Sequence, residues 1–286
     1  MSAPHLKMQI RSQGIALIAV LWIVAALSII VTGVVHSVRS EVRLVSANRQ
    51  TIEAVALGEA AIALVLQDMV SRPERPAKLK TMDMGYQGST MMVEIVPLHG
   101  LIDINNASSS LLISLYLVAG EMDAKAATAM AEATVRVRSE RDARGRVQGF
   151  EAVQDLLRVP GVDYDLYARI SRLITAEGQG SGQVNPDAAP EEVLAVLAQG
   201  NKNLASALAA KRASGTADID ITALNGDFLS KNSSLRYRLQ AYIVLPDGVQ
   251  VVVSRSADLR ADPRLGLPWR IFNAEHWMQG APAKGV

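Results

Sequence analysis

Cysteine is absent from this 286-residue chain. Its absence excludes a disulfide scaffold, a thiol nucleophile and zinc or iron–sulfur sites built on thiolates, while leaving the compartment open, because an exported protein can do without disulfides. An excess of charge of one sign is also lacking. Twenty-nine Lys and Arg stand against 28 Asp and Glu, a net charge of +1, so no overall basic field exists to drive non-specific nucleic-acid binding. Histidine is scarce: His5, His36, His99 and His276 are scattered without a His-Glu-x-x-His pairing, and no Gly-x-Ser-x-Gly elbow occurs. No enzymatic site is expected. What the chain does have is apolar residues, 49% against 20% charged, which suits a folded chain of about two domains.

The longest uncharged run is Ile15 to Val35, IALIAVLWIVAALSIIVTGVV. At 1.5 Å of rise per residue it spans about 31 Å, roughly the hydrocarbon thickness of a bilayer. The residues before it carry Lys7 and Arg11 and no acid, which places 1–14 in the cytoplasm and everything after about Arg39 outside it. A secretory signal peptide has a shorter apolar core with a small-residue cleavage site after it; here the run is full length and Gly14 precedes it. Apolar residues then continue at threes, fours and sevens through Val38, Val42, Val45, Ile52, Val55, Ile62, Leu66 and Met69 until Arg72-Pro73. One helix over 15–71 is expected, on the order of 85 Å long. Its stretch from Val45 to Met69 is expected to pack an amphipathic face on a sheet. A single-pass anchor with a helical stalk satisfies this pattern as it stands.

Beyond Pro73, Ser89–Pro97 and Leu101–Ile104 alternate as strands with a tight turn at His99-Gly100, and Arg236–Leu245 and Val249–Asp258 form a second hairpin around Pro246-Asp247-Gly248. Between them the sequence reads as helices at Ser108–Val118, Ala124–Arg138, Phe150–Leu157, Tyr164–Thr175, Pro190–Ala198 and Asn203–Ala213. The fold class is therefore α+β: a long N-terminal helix over 15–71, a small antiparallel sheet from 72–104 and 235–286, and an all-helical domain over 105–234 inserted between strands. Within the insert, Asn106 to Leu112 echoes Asn185 to Leu194 as a weak duplication. Gly178-Gln-Gly-Ser-Gly182 imitates a phosphate loop, but no strand precedes it and no Lys-Ser/Thr follows. It reads as a flexible connector.

Two local patterns invite ligands. Asp218-Ile-Asp220 opens like a calcium loop, yet Ala223 stands where glycine is required and Leu229 where a bidentate Glu is needed, so an EF-hand is excluded. A looser oxygen site remains open at Asp218, Asp220 and Asp227, or at Asp258 and Asp262, against the plainer reading of solvated carboxylates. Leu157-Arg-Val-Pro-Gly-Val162 is similar to the hairpin of helix-hairpin-helix modules, with Ile104-Asn-Asn-Ala107 suiting that family's opening and Arg136, Arg138, Arg141, Arg144, Arg146 and Arg158 nearby. The second glycine of that motif is missing, and Asp163 would repel phosphate. A membrane-anchored DNA receptor is thus the alternative reading; no nucleic acid is expected as a partner.

RSQGIALIAVLWIVAALSIIVTGVV resembles the prepilin leader and first helix of type IV pilin-like proteins, through Arg11, Gly14, Ile15 and the apolar helix that follows. The resemblance implies cleavage by a prepilin peptidase between Gly14 and Ile15 and N-methylation of the new amine of Ile15. It also implies Phe or Met at the first mature position and Glu at the fifth, where this chain has Ile15 and Ala19. In the family that carboxylate pairs with a neighbouring subunit's terminal amine. An unpaired carboxylate in hydrocarbon costs roughly 2.5 to 3.5 kcal/mol, so the nonpolar Ala19 suits a subunit with no neighbour in that direction; it is equally an ordinary anchor residue. The leader, the nonpolar fifth position, the length and the helical insert together resemble the K subunit family of type II secretion minor pseudopilins (general secretion pathway protein K). That likeness implies a tip position on the pseudopilus in the bacterial inner membrane, with the C-terminal body in the periplasm. It implies the I and J minor pseudopilins as partners, other pseudopilins along the N-terminal helix, and calcium as a cofactor without assigned ligands.

Overall fold

The computed structural model describes residues 13–86, 88–178, 180–215, 220–260 and 266–280. The chain divides into two compact units, Met1–Glu53 and Ala54–Val286, and one helix, α1 (Gln13–Ser71), contributes to both. No proline interrupts α1, and Pro73 ends it by forbidding further helical bonds. In the first unit α1 bears exposed Leu17, Trp22, Ile29 and Val31. Its two mid-run hydroxyls bond back along the helix, Ser28 Oγ to the Val24 carbonyl at 2.8 Å and Thr32 Oγ1 to the Ser28 carbonyl at 2.7 Å. No polar side chain of that turn is then left needing water.

In the second unit α1 presents Ala54, Ala61, Ile62, Val65, Leu66 and Met69, spaced at threes and fours, as a fully buried stripe. The stripe begins later than the sequence suggests: Val45 and Ile52 are exposed. It packs on Met91, Val93, Ile95, Leu239, Ala241, Val251 and Val253 of the sheet. The approach is closest at Gly58, where a Cβ would come within 2.6 Å of Val253 Cγ2. Past the helix, Arg75 folds back to donate to the carbonyls of Met69, Val70 and Arg72, satisfying orphan acceptors of the last turn.

The strands follow: β1 (Lys80–Tyr86), β2 (Ser89–Pro97) and the two-residue β3 (Ile102–Asp103). Next come α2 (Ser109–Val118), α3 (Ala124–Arg138), α4 (Tyr164–Ile170), β4 (Ile174–Thr175), α5 (Glu191–Leu197) and α6 (Lys202–Ala213). The chain returns through β5 (Arg236–Val244), β6 (Gln250–Asp258) and β7 (Arg270–Gln279). The main sheet has the order β1-β2-β5-β6-β7 and is antiparallel throughout. The helices between β2 and β5 build a second core around Ile102, Ile104, Leu111, Leu112, Leu115, Tyr116, Val193 and Leu194. Ser108, Asp123, Asp163 and Asn201 cap α2, α3, α4 and α6, each accepting from a backbone amide of the first turn.

Several expectations change here. Ser89–Pro97 pairs with Lys80–Tyr86 before it; Ile102–Asp103 leaves the sheet and pairs in parallel with Ile174–Thr175. Leu98–Gly100 is a 3-10 turn that redirects the chain rather than closing a hairpin. Tyr164–Thr175 is therefore helix only to Ile170, and Phe150–Leu157 shrinks to a 3-10 helix over Val153–Arg158. The expected glycine-rich connector is not free at Gly182, which has φ of +80°; a Cβ there would lie 2.0 Å from the Asn106 carbonyl oxygen, so Gly182 runs against the chain leading into α2 where only glycine fits.

Candidate functional site

The candidate parts of the chain are two: the apolar start of α1, with Gly14 and Ile15 in its first turns, and the face of the sheet that meets the inserted helices. α1 is the one helix among the described residues long and apolar enough to cross a membrane, and Ala19 lies exposed within it. Residues 1–12, the greater part of the expected leader, are outside the described residues; Gly14 and Ile15 lie in the first turns of α1.

Alternation along β5 divides its side chains. Tyr237, Leu239 and Ala241 face α1, whereas Arg236, Arg238, Gln240 and Tyr242 occupy the opposite side. The register continues that polar side across the sheet, from Glu94 on β2 through Gln240 and Ser254 to Glu275 on β7. A buried polar face must find partners, and here the insert's backbone supplies them. Arg238 donates from Nη1 to the Arg172 carbonyl and from Nη2 to the Ile174 carbonyl, both at 2.8 Å. Arg236 donates from Nη1 to the Glu177 carbonyl at 2.8 Å and from Nε to Asp258 Oδ2 at 3.0 Å, with its guanidinium 5.5 Å from the Phe272 ring centroid. Two arginines of one strand thus clamp the segment Arg172–Glu177, which carries β4, to the sheet. Burial lowers the pKa of Arg238 and raises that of Glu94.

On the opposite side of the sheet, Arg255 reaches Glu59 of α1 and donates to the carbonyls of Ser254 and Glu275. The Tyr237 hydroxyl is buried there without a hydrogen-bond partner among the described residues, and its pKa is pushed up to about 12 by desolvation.

The carboxylates considered for a metal are dispersed. Asp218 and Asp262 lie outside the described residues. Asp220 accepts from the amide and hydroxyl of Thr222, and Asp227 is an exposed residue of a 3-10 turn. Asp258 is held by Arg236 and Arg260; burial alone would raise its pKa, but those hydrogen bonds prevail and keep it below the usual carboxylate range. Among the described residues no group of three or more His, Asp or Glu is placed to hold a metal ion.

The hairpin at Pro160-Gly161 leads into α4, and Asp163 spends its side chain on the Leu166 amide. Arg136 pairs with Glu132, Arg138 binds the carbonyls of Ile104 and Ala107, Arg141 that of Gly145, Arg146 pairs with Asp142 and Arg158 binds Gln148. Within that set Arg144 alone has no side-chain partner among the described residues. Two arginines alternate with apolar residues in RYRLQAY, but nothing in that pattern names the backbone carbonyls that Arg236 and Arg238 bind.

Comparison with known proteins adds a likeness among solved structures. No family model matches the chain. No curated protein matches it either. The chain is similar to a solved one. That structure is described as the crystal structure of the GspK-GspI-GspJ complex from the enterotoxigenic Escherichia coli type 2 secretion system, and the match covers 84% of this chain and 100% of that one, at 15% identity and a TM-score of 0.48. At that distance the likeness carries no argument by itself.

Proposed function

We propose that the chain is a minor pseudopilin of the K-subunit type, a non-enzymatic subunit that sits at the tip of a type II secretion pseudopilus and supports protein export. The observation that carries the reading is a single continuous helix: its apolar N-terminal part follows Gly14 and bears Ala19 at the fifth position, and its C-terminal part, from Ala54 to Met69, packs on one face of an antiparallel sheet. An ordinary anchor has no need to continue into a folding core. In this reading the prepilin peptidase cuts between Gly14 and Ile15 and the new amine is methylated. The helix holds the subunit in the inner membrane, and the body lies in the periplasm.

The partners proposed are I- and J-type minor pseudopilins, with other pseudopilins along the N-terminal helix. The helices between β2 and β5 add bulk that a slender pilin-like subunit lacks, and that bulk would obstruct a further subunit from stacking above. N-terminal mass analysis of protein extracted from membranes tests the processing step. The expected species begins at methylated Ile15, 286 − 14 = 272 residues long. An intact leader, or cleavage beyond residue 35, rejects the assignment. Gly14→Val should leave the precursor uncut, because a peptidase pocket shaped for glycine has no room for a branched side chain.

A further inference from the structure

Aromatic residues make up only 4% of the chain, yet three of them line one cleft. Tyr164 and Tyr167, three apart on one face of α4, and Trp277 of β7 line an opening of about 420 Å³ between α4 and the polar face of the sheet. The volume is within the range of small-ligand pockets. Its lining includes Gln240 and Ser254, both buried, together with Asn273. Tyr164 is 77% exposed, a large share for an aromatic residue.

Charge narrows the ligand. Arg172 and Arg238 beside the cleft disfavour a quaternary ammonium, the usual guest of an aromatic cage. Glu275 disfavours a phosphate or carboxylate, and Arg238 is already committed to two carbonyls. What fits flat aromatic faces together with planar amides and a hydroxyl, without net charge, is a pyranose: its C–H face stacks on a ring, and its equatorial hydroxyls can accept from Gln240 Nε2 and donate to Asn273 Oδ1, the other amide atoms being engaged, Gln240 Oε1 by the Tyr242 hydroxyl and Asn273 Nδ2 by Glu275. We propose that this cleft is a binding site for a neutral saccharide, with Trp277 and Tyr167 as the stacking platforms. The proposal stands apart from the pseudopilin reading, since it uses only the body's own surface.

The test uses the full chain in a polyoxyethylene detergent, which contains no sugar, and ligand-observed saturation-transfer NMR with chitotriose, cellotriose and maltotriose as probes. At least one of the three should show saturable transfer. Trp277→Ala should weaken it about tenfold, as expected for loss of one stacking face, while Trp277→Phe retains it. Asn273→Ala, which removes the Oδ1 acceptor together with the hydrogen bond to Glu275, gives a second variant if Trp277→Ala fails to fold, and should also weaken binding. The proposal is overturned if no probe shows saturable transfer up to about 10 mM, beyond the weak end of specific binding. It is equally overturned if the signal survives both Trp277→Ala and Asn273→Ala unchanged, or if choline or inorganic phosphate displaces the sugar from the cleft.

Discussion

Replacing Arg238 by alanine tests how the inserted helices are held to the sheet. The guanidinium is buried and makes two hydrogen bonds of 2.8 Å, to the carbonyls of Arg172 and Ile174. Hydrogen bonds to charged groups are worth about 1.5 to 3 kcal/mol each, and a buried acceptor left unmade costs about 1 to 3. The two counts describe overlapping losses, so about 3 to 5 kcal/mol is expected in total, the range for breaking a buried charged contact. For a body of this size that corresponds to a fall in Tm of roughly 8 to 15 °C. Thermal unfolding of the full chain in detergent, followed by circular dichroism, reads the effect. Arg238→Lys should recover part of the loss, since an ammonium can reach one carbonyl but does not present the guanidinium fork. A fall equivalent to less than about 1 kcal/mol, the scale of a surface substitution, would refute the clamp.

Gly58→Leu should destabilise the body by about 1 to 3 kcal/mol, because a Cβ there already meets Val253 at 2.6 Å; chemical denaturation reads the change, and an unaltered midpoint contradicts the close approach. Gly182→Ala should cost more than Gly145→Ala on the same measurement, since both have positive φ but only Gly182 faces backbone, at 2.0 Å from the Asn106 oxygen. Two carboxylates should give opposite pH dependence. Glu94 has its pKa raised by burial, so the folded state holds its proton longer and stability falls as pH rises through the unfolded value of about 4.5 and then the folded one. Glu94→Gln should therefore raise Tm at pH 7, with the gain vanishing below that window. Asp258 is depressed by Arg260 and Arg236 despite its burial, so its contribution is present above the unfolded value and lost as pH falls through the folded one. Asp258→Asn should lower Tm at neutral pH and flatten the acid limb; parallel curves for wild type and variant would contradict the pairing.

What could be read in the sequence was what leaves a strong periodic or turn signal. The stop of α1 at Arg72-Pro73, the limits of α3 and the β5–β6 hairpin around Pro246-Asp247-Gly248 all rest on residues whose backbone preferences dominate locally. The edge strands β1 and β7 were not legible. Each is half solvated, so KTMDMGY and RIFNAEHWMQ lack a clean apolar alternation. The short parallel pair β3–β4 depends on tertiary contact between residues seventy positions apart in the chain, roughly the separation of Ile102 and Ile174, which no local pattern encodes. The same reason hid the clamp: the carbonyls that Arg236 and Arg238 bind belong to backbone, and backbone carries no residue-type signal.

The tip position is the central claim, and site-specific cross-linking in intact cells tests it most directly, because a cysteine-free chain makes any engineered cysteine unique. Val45→Cys, on the exposed face of α1, should capture neighbouring pseudopilins along the helix. Ala129→Cys, exposed on α3 of the insert, should capture no major pseudopilin above it. Capture of major pseudopilins at Ala129→Cys as efficiently as at Val45→Cys would show a subunit buried within the filament and contradict the capping role.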